Sequence, residues 1–168
     1  LRARAFLFRF VSARLSALIL SDHAEEVISA EEITLPTSER ITTLANNDMW
    51  ASVASGSARW DAMLIVPTSM GTTGRIAAGI SRTLIERAAD VILKERRRLV
   101  MVVRESPYSL IHLRNMTTLT EAGAIIMPAS PSFYLAPRSI EELCMTISTR
   151  AVEMLGLEVK HRAWGEIK

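Results

Sequence analysis

Glu86-Arg87-Ala88-Ala89-Asp90-Val91-Ile92-Leu93-Lys94-Glu95-Arg96-Arg97-Arg98-Leu99-Val100-Met101-Val102-Val103-Arg104-Glu105 is the stretch from which the fold can be read. Leu84, Ala88, Val91 and Ile92 recur at helical spacing, while Glu86, Arg87, Asp90 and Lys94 hold the other face. The apolar run over residues 99–103 then fits a buried strand. The order is helix, short basic link, strand. A parallel strand that ends directly in Arg104-Glu105, before Ser106-Pro107, sets a cation and a carboxylate at the carboxyl edge of a sheet. Open α/β sheets bind their ligands at that edge.

The same grammar repeats on both sides. Upstream, residues 62–66 (Ala-Met-Leu-Ile-Val) form a second apolar strand closed by Pro67. The loop Thr68-Ser69-Met70-Gly71-Thr72-Thr73-Gly74 then opens a helix around residues 75–78. Such a loop can aim backbone N–H groups and hydroxyls at an anion beside a helix N-terminus. It matches neither the dinucleotide nor the P-loop glycine pattern, and an ordinary strand-to-helix turn has the same composition. Downstream, a helix over residues 109–121 is stopped by Gly123, and residues 124–127 (Ala-Ile-Ile-Met) give another strand. That strand runs into a proline-bracketed segment with Phe133-Tyr134, at the same edge as Arg104. Ser139 and Glu142 form a capping box for a long helix that Gly156 ends, leaving residues 156–168 as a tail.

Nearer the start, residues 1–15 carry a helical pattern rich in Phe, and residues 16–20 read as a strand ending at Ser21-Asp22. Asp22 with Glu25 makes a capping box for a helix over residues 23–31. Ala54-Ser55-Gly56-Ser57 is a turn, and the polar connection from Leu35-Pro36 to Asn46-Asn47-Asp48 has no assigned element. Four apolar strands separated by helices of crossover length predict the α/β class, a doubly wound parallel sheet in a three-layer αβα sandwich.

The 168 residues, 49% of them hydrophobic, make one domain spanning residues 1–168 with a full core. Twenty basic residues against 18 acidic give a net charge of +2, too little for a nucleic-acid-binding field. Cys144 is the only cysteine, so no internal disulfide forms; it lies in a helical pattern and is expected to be a small buried side chain. His23, His112 and His161 are far apart in the sequence and read as surface or capping residues, and no metal is assigned. Arg2, Arg4, Arg9 and Arg14 precede the first acid, Asp22, a composition like that of a transit peptide. Arg9 and Arg14 also interrupt the apolar run, which argues against a membrane span. A cytoplasmic location is expected, with a mitochondrial one as the alternative. The chain opens on Leu1 rather than Met, as in a processed protein or a fragment.

Residues 86–105 and Phe133-Tyr134 resemble the flavin prenyltransferases, the UbiX family. Its members share a pattern close to E-R-A-A-D-V-x-L-K-E-R-R-P-L-V-L-V-P-R-E-x-P and a later P-x-x-P-x-F-Y. The resemblance extends back through residues 54–57 and 67–74. It continues through His112, Asn115-Met116, Gly123 and Pro128 to Arg150 and Trp164-Gly165-Glu166. It implies a flavodoxin-like fold and a prenyl transfer, in which the dimethylallyl group of dimethylallyl phosphate passes to reduced FMN. The prenylated product serves a UbiD-type partner decarboxylase.

By that resemblance, Arg87, Lys94, Tyr134 and Arg150 hold the allylic phosphate, a task for converging cations and hydroxyls. Arg87, Asp90 and Lys94 also fit plain surface ion pairs on one helix face. Glu31 and Glu105 match the family's catalytic glutamates, which move protons, and Arg87 and Lys94 join them in the catalytic set. Ser21, Ser55, Ser69, Met70, Gly71, Thr72 and Arg104 match flavin contacts. Trp50 is an aromatic candidate for the prenyl cation, whereas Trp60 fits core packing. The resemblance further implies a homo-oligomer built on trimers, up to a dodecamer, with sites at subunit boundaries.

This sequence departs from the family's pattern in places. Members begin with a strand and a Gly-Ala-Ser-Gly-Ala type loop, and Leu1 falls about where the following helix begins. Arg98 and Val103 stand where the family has proline, and Leu135 replaces a polar residue. Two other readings stay open: a flavin-dependent decarboxylase of the cysteine-decarboxylase type, and a degenerate, non-catalytic flavin-binding or assembly subunit.

Overall fold

Alternation of apolar strands with capped helices is realised along the chain in the computed structural model, which describes residues 16–35 and 37–159. The order is β1 (Ser16–Ile19), α1 (Asp22–Ala30), β2 (Ile41–Leu44), β3 (Ala62–Thr68), α2 (Met70–Ala77), α3 (Leu84–Lys94), β4 (Arg98–Val103), α4 (Leu110–Glu121), β5 (Ile125–Pro128) and α5 (Ile140–Met154). Every pairing is parallel. β1 pairs with β2, and β3, β4 and β5 form a second group with β4 in the middle. Parallel neighbours need long crossovers, which the helices supply.

β4 is the axis of the core because its five residues after Arg98 are all buried. Leu99 and Met101 join Ile65 of β3, Ile76 of α2, Ala89 and Ile92 of α3 and Leu119 of α4 in one cluster. Val100 and Val102 point to the opposite face by the two-residue period of a strand, and α5 packs against β4 with Ala151 and Val152 buried. A strand covered on both faces must read as a continuous apolar run, which is why residues 99–103 were so legible. A second cluster of Val53, Leu84 and Ala88 gathers Ala17 and Ile19 of β1, Leu44 of β2 and Met63 of β3, so α3 binds both strand groups together. Trp60 packs against both clusters, as its core reading expects.

Several boundaries differ from the sequence reading. Ser21, not Asp22, caps α1: its Oγ accepts from the Ala24 N–H at 3.3 Å. Asp22 is instead the first helical residue, where a carboxylate complements the helix dipole. β2 falls in the connection to which no element was assigned; its two threonines are exposed, so no apolar alternation betrays it. β3 runs on through Pro67 to Thr68, with a register shift between Ile65 and Thr68 where a proline is tolerated. Helix α2 begins at Met70 rather than Arg75, so most of the presumed loop is its first turns. Only the first half of the box at Ser139 forms: its hydroxyl accepts from the Glu142 N–H, but the Glu142 carboxylate takes the Arg138 N–H instead.

Cys144 is exposed, contrary to the expectation of burial. The buried residues of α5 are confined to Ala151 and Val152 near its end, leaving its first two turns open. His112 does cap, its Nδ1 accepting from the Ser109 N–H at 3.2 Å. The expected first helix over residues 1–15 and the tail from residue 160 onward lie outside the described residues. No helix among the described residues is long and apolar enough to cross a membrane.

Candidate functional site

The strand register brings the candidate residues to one edge. Thr68 of β3 pairs with Val103 of β4, and Val103 with Pro128 of β5. The next residues, Ser69, Arg104 and Ala129, therefore lie side by side on strands spaced about 4.8 Å apart. The Ala129 N–H donates to the Val103 carbonyl at 2.8 Å, which ties the β5 exit to this row. Phe133 and Tyr134 follow on the β5 side, both exposed. Ser21 stands at the carboxyl end of β1, half-buried, on the other strand group.

The turn at residues 69–72 is held by its own hydroxyls. Ser69 Oγ accepts from the Thr72 N–H at 3.2 Å and donates to Thr72 Oγ1 at 3.1 Å. Thr73 Oγ1 donates to the Ser69 carbonyl at 2.9 Å. Met70 is buried and anchors the turn, while Ser69 and Gly71 are exposed. A Cβ on Gly71 would come to 3.3 Å from Arg75 Nη1, so the missing side chain keeps this surface open to close approach. The first N–H groups of α2 add partial positive charge. Open backbone, two hydroxyls and a helix N-terminus fit an anionic group or the carbonyl edge of a flavin.

Beside the turn, Arg104 is exposed and Glu105 half-buried, the latter's Oε1 accepting from the Ser106 N–H at 3.1 Å. A groove of about 440 Å³, lined by Val103, Tyr108, Leu113, Met116, Ile126 and Pro128 among others, gives this edge an apolar flank.

The other candidates lie off this row of residues. Arg87 and Lys94 sit seven residues apart on α3, about 10 Å along its axis. Arg87 Nε donates to the Ala54 carbonyl at 3.1 Å, and its Nη1 to Asp90 Oδ2 at 2.9 Å. Ser55, adjacent to Ala54 in the chain, is exposed and shares a 2.9 Å hydrogen bond with Ser57. Lys94 Nζ donates to Glu95 Oε1 at 2.6 Å, and this hydrogen bond, with the lysine's charge, holds the Glu95 carboxyl below its ordinary value. Lys94 ends α3 just before β4 begins, whereas Arg104 follows the end of β4. Six strand residues, about 20 Å, separate the two ends. Glu31 caps the far end of α1, about 14 Å along the helix from Ser21. Arg150 is exposed on α5 and pairs with Glu153 at 3.2 Å. Trp50 is 98% exposed.

The sequence reading missed Glu86 and Arg75. Glu86 was placed on the polar face of α3, yet it is buried, 2% exposed. Its Oε2 accepts from the Arg82 and Thr83 N–H groups at 2.9 and 3.1 Å, and its Oε1 from Arg75 Nε. Burial pushes this carboxyl up, but the hydrogen bonds from Arg75 and from the two backbone N–H groups outweigh it and bring the value below normal. Thr83 followed by Glu86 is a capping box, and that signal was in the sequence. The bond to Arg75, eleven residues away, carried none.

A family model described as Flavoprotein matches residues 9–152. The Flavin prenyltransferase UbiX of Thermoplasma acidophilum is 46% identical over 143 residues, 83% of this chain and 79% of that protein. Among curated relatives of the same description the matched part spans from 54% to 84% of the relative's length. A crystal structure of AnUbiX (PadA1) in complex with FMN and dimethylallyl pyrophosphate superposes with a TM-score of 0.78 at 41% identity, covering 88% of this chain and 82% of that one. A dodecameric FMN-dependent UbiX-like decarboxylase from Escherichia coli O157:H7 gives a TM-score of 0.78 at 37% identity, covering 86% of this chain and 80% of that one.

Proposed function

The chain belongs to the flavin prenyltransferase (UbiX) family, and on that premise we propose that it transfers the dimethylallyl group of dimethylallyl phosphate to reduced FMN. One observation carries the reading: the strand register aligns the 69–72 turn, Arg104-Glu105 and the segment bearing Tyr134 along one sheet edge. Reduced FMN supplies the nucleophilic nitrogen that accepts the prenyl group. Ser21, Ser69, Met70, Gly71 and Thr72 hold the flavin, with Arg104 supplying charge beside it, and Ser55 adds a hydroxyl from the flank of α3.

The leaving phosphate needs cations and a hydroxyl, and Tyr134, Arg87, Lys94 and Arg150 provide them. Glu105, at the same edge as the turn, takes up and returns protons, with Glu31 as the second carboxylate. Lys94, at the end of α3 beside the start of β4, and Glu31, at the end of α1, lie too far from the edge of their own chain to reach it. A second copy of the chain therefore supplies them, in a trimer-based homo-oligomer up to a dodecamer. The chain works as a single flavoprotein domain over residues 1–168 in the cytoplasm, and its product serves a UbiD-type decarboxylase.

Incubating the protein with reduced FMN and dimethylallyl phosphate without oxygen should yield FMN heavier by one five-carbon prenyl unit in mass spectrometry. Recovery of unmodified FMN alone from folded, FMN-binding protein would overturn the proposal.

A further inference from the structure

Glu86 is more heavily engaged than a helix cap requires. A capping box needs an acceptor for one backbone N–H, and a neutral glutamine serves as well as glutamate. Here a carboxylate, 2% exposed, takes Arg75 Nε in addition to the Arg82 and Thr83 N–H groups. A buried charge is costly without such partners, so the carboxylate and the guanidinium fix each other. Arg75 is itself nearly half exposed and reaches back to the turn, where its Nη2 donates to Thr72 Oγ1 at 3.2 Å. That same oxygen accepts from Ser69 Oγ at 3.1 Å. The guanidinium also passes so close to Gly71 that a side chain there would crowd Nη1. A continuous chain of polar contacts thus runs from the start of α3, through Arg75, to both hydroxyls at the start of α2.

We infer that Glu86 and Arg75 are positioning residues for the flavin-holding turn. The buried carboxylate locks the guanidinium against Thr72 and over Gly71, and the guanidinium holds the Ser69 and Thr72 hydroxyls in their binding orientation. This inference rests on the reading of residues 69–72 as an FMN contact. Neither residue belongs to the set matched to the family's site, and Glu86 acts only through Arg75. A preformed turn binds its ligand without having to order itself first.

The test is FMN affinity, followed by quenching of flavin fluorescence, in the wild type, Arg75→Ala, Arg75→Lys, Glu86→Gln and the double variant Arg75→Ala with Glu86→Gln. Glu86→Gln keeps the capping acceptor; far-UV circular dichroism and thermal melting establish that each variant is folded. Arg75→Ala and Glu86→Gln are each expected to weaken FMN binding about tenfold, the scale of one charge-assisted hydrogen bond. The double variant should be no weaker than Arg75→Ala alone, because the two act in series. Arg75→Lys keeps the charge but cannot bridge Glu86 and Thr72 as a fork does, and it should fall between wild type and Arg75→Ala. Wild-type affinity in the folded single variants, or losses that multiply in the double variant, would overturn the inference alone. A folded wild type that binds no FMN would overturn the flavin reading and this inference with it.

Discussion

Lys94 and Glu105 offer a decisive perturbation, because the fold puts them at opposite ends of β4. Six residues at about 3.3 Å each make the strand roughly 20 Å long. A lysine ammonium reaches roughly 6 Å from its Cα, five bonds of about 1.5 Å in zigzag. Lys94 also spends that reach on Glu95, at 2.6 Å. On the function proposed above, one chain does not bring both groups to one substrate, and a shared site would take Lys94 from one copy and Glu105 from another. Lys94→Ala and Glu105→Gln should each lose about 10²- to 10⁴-fold in prenyl transfer, the range for a positioned proton-transfer or charge-stabilising group. Co-expressed in equal amounts with different tags, the two variants assort at random in a closed assembly. About a quarter of the sites then combine an intact Glu105 from one copy with an intact Lys94 from the other. Mixed oligomers isolated through both tags should accordingly recover about a quarter of wild-type activity in a dodecamer, or about a third in a trimer, by the same mass assay. Mixed assemblies of verified composition that stay at the level of the single variants would refute the shared site.

Three further outcomes follow from the geometry. Leu99→Ala, at a side chain 0% exposed in the centre of the core, should cost about 2–5 kcal/mol in urea-induced unfolding; a loss under about 1 kcal/mol would mean that the β4 face bearing Leu99 and Met101 is not tightly packed. The Glu86 carboxyl is held below its ordinary value of 4.5, so its charge contributes stability that is fully present above that pH and is lost as the pH falls through the lowered folded value. Unfolding titrations between about pH 5 and pH 3 should therefore show a shallower stability decline in Glu86→Gln than in wild type, and parallel declines would contradict the assignment. Glu105→Gln should keep FMN affinity within about twofold while slowing turnover, since a proton-transfer group acts on the chemical step; an affinity loss matching the rate loss would make Glu105 a binding residue instead.

What the sequence disclosed depended on how each element is buried. β4 and α3 are readable because a strand covered on both faces is an unbroken apolar run, whereas a helix covered on one repeats its apolar residues about every 3.6. β2 was not, since Thr42 and Thr43 face solvent and four residues offer no pattern. The 68–74 segment reads as a loop in the sequence because its glycines and hydroxyls are turn residues. The bond from the Thr72 N–H to Ser69 makes it a helix start instead. Cys144 misled because helical periodicity tells which face a residue occupies but not whether the core extends that far along α5.

The candidate site shows the same division between what is local and what is assembled. Residue types that match a family pattern can be placed one by one from the chain, and Ser69, Arg104 and Tyr134 follow the carboxyl ends of β3, β4 and β5 for that reason. Their mutual spacing is a property of register, which fixes Thr68 opposite Val103 and Val103 opposite Pro128. Lys94, matched within the 86–105 pattern, and Glu31, matched by its spacing from Ser21 with Glu32 adjacent, stand at the other ends of their elements, so the match alone groups residues that the fold divides in two. Glu86 is the converse case. Its cap was legible, but its burial against Arg75 is set by how α2 and α3 pack, and no local pattern encodes a contact between a helix start and a side chain of the preceding helix.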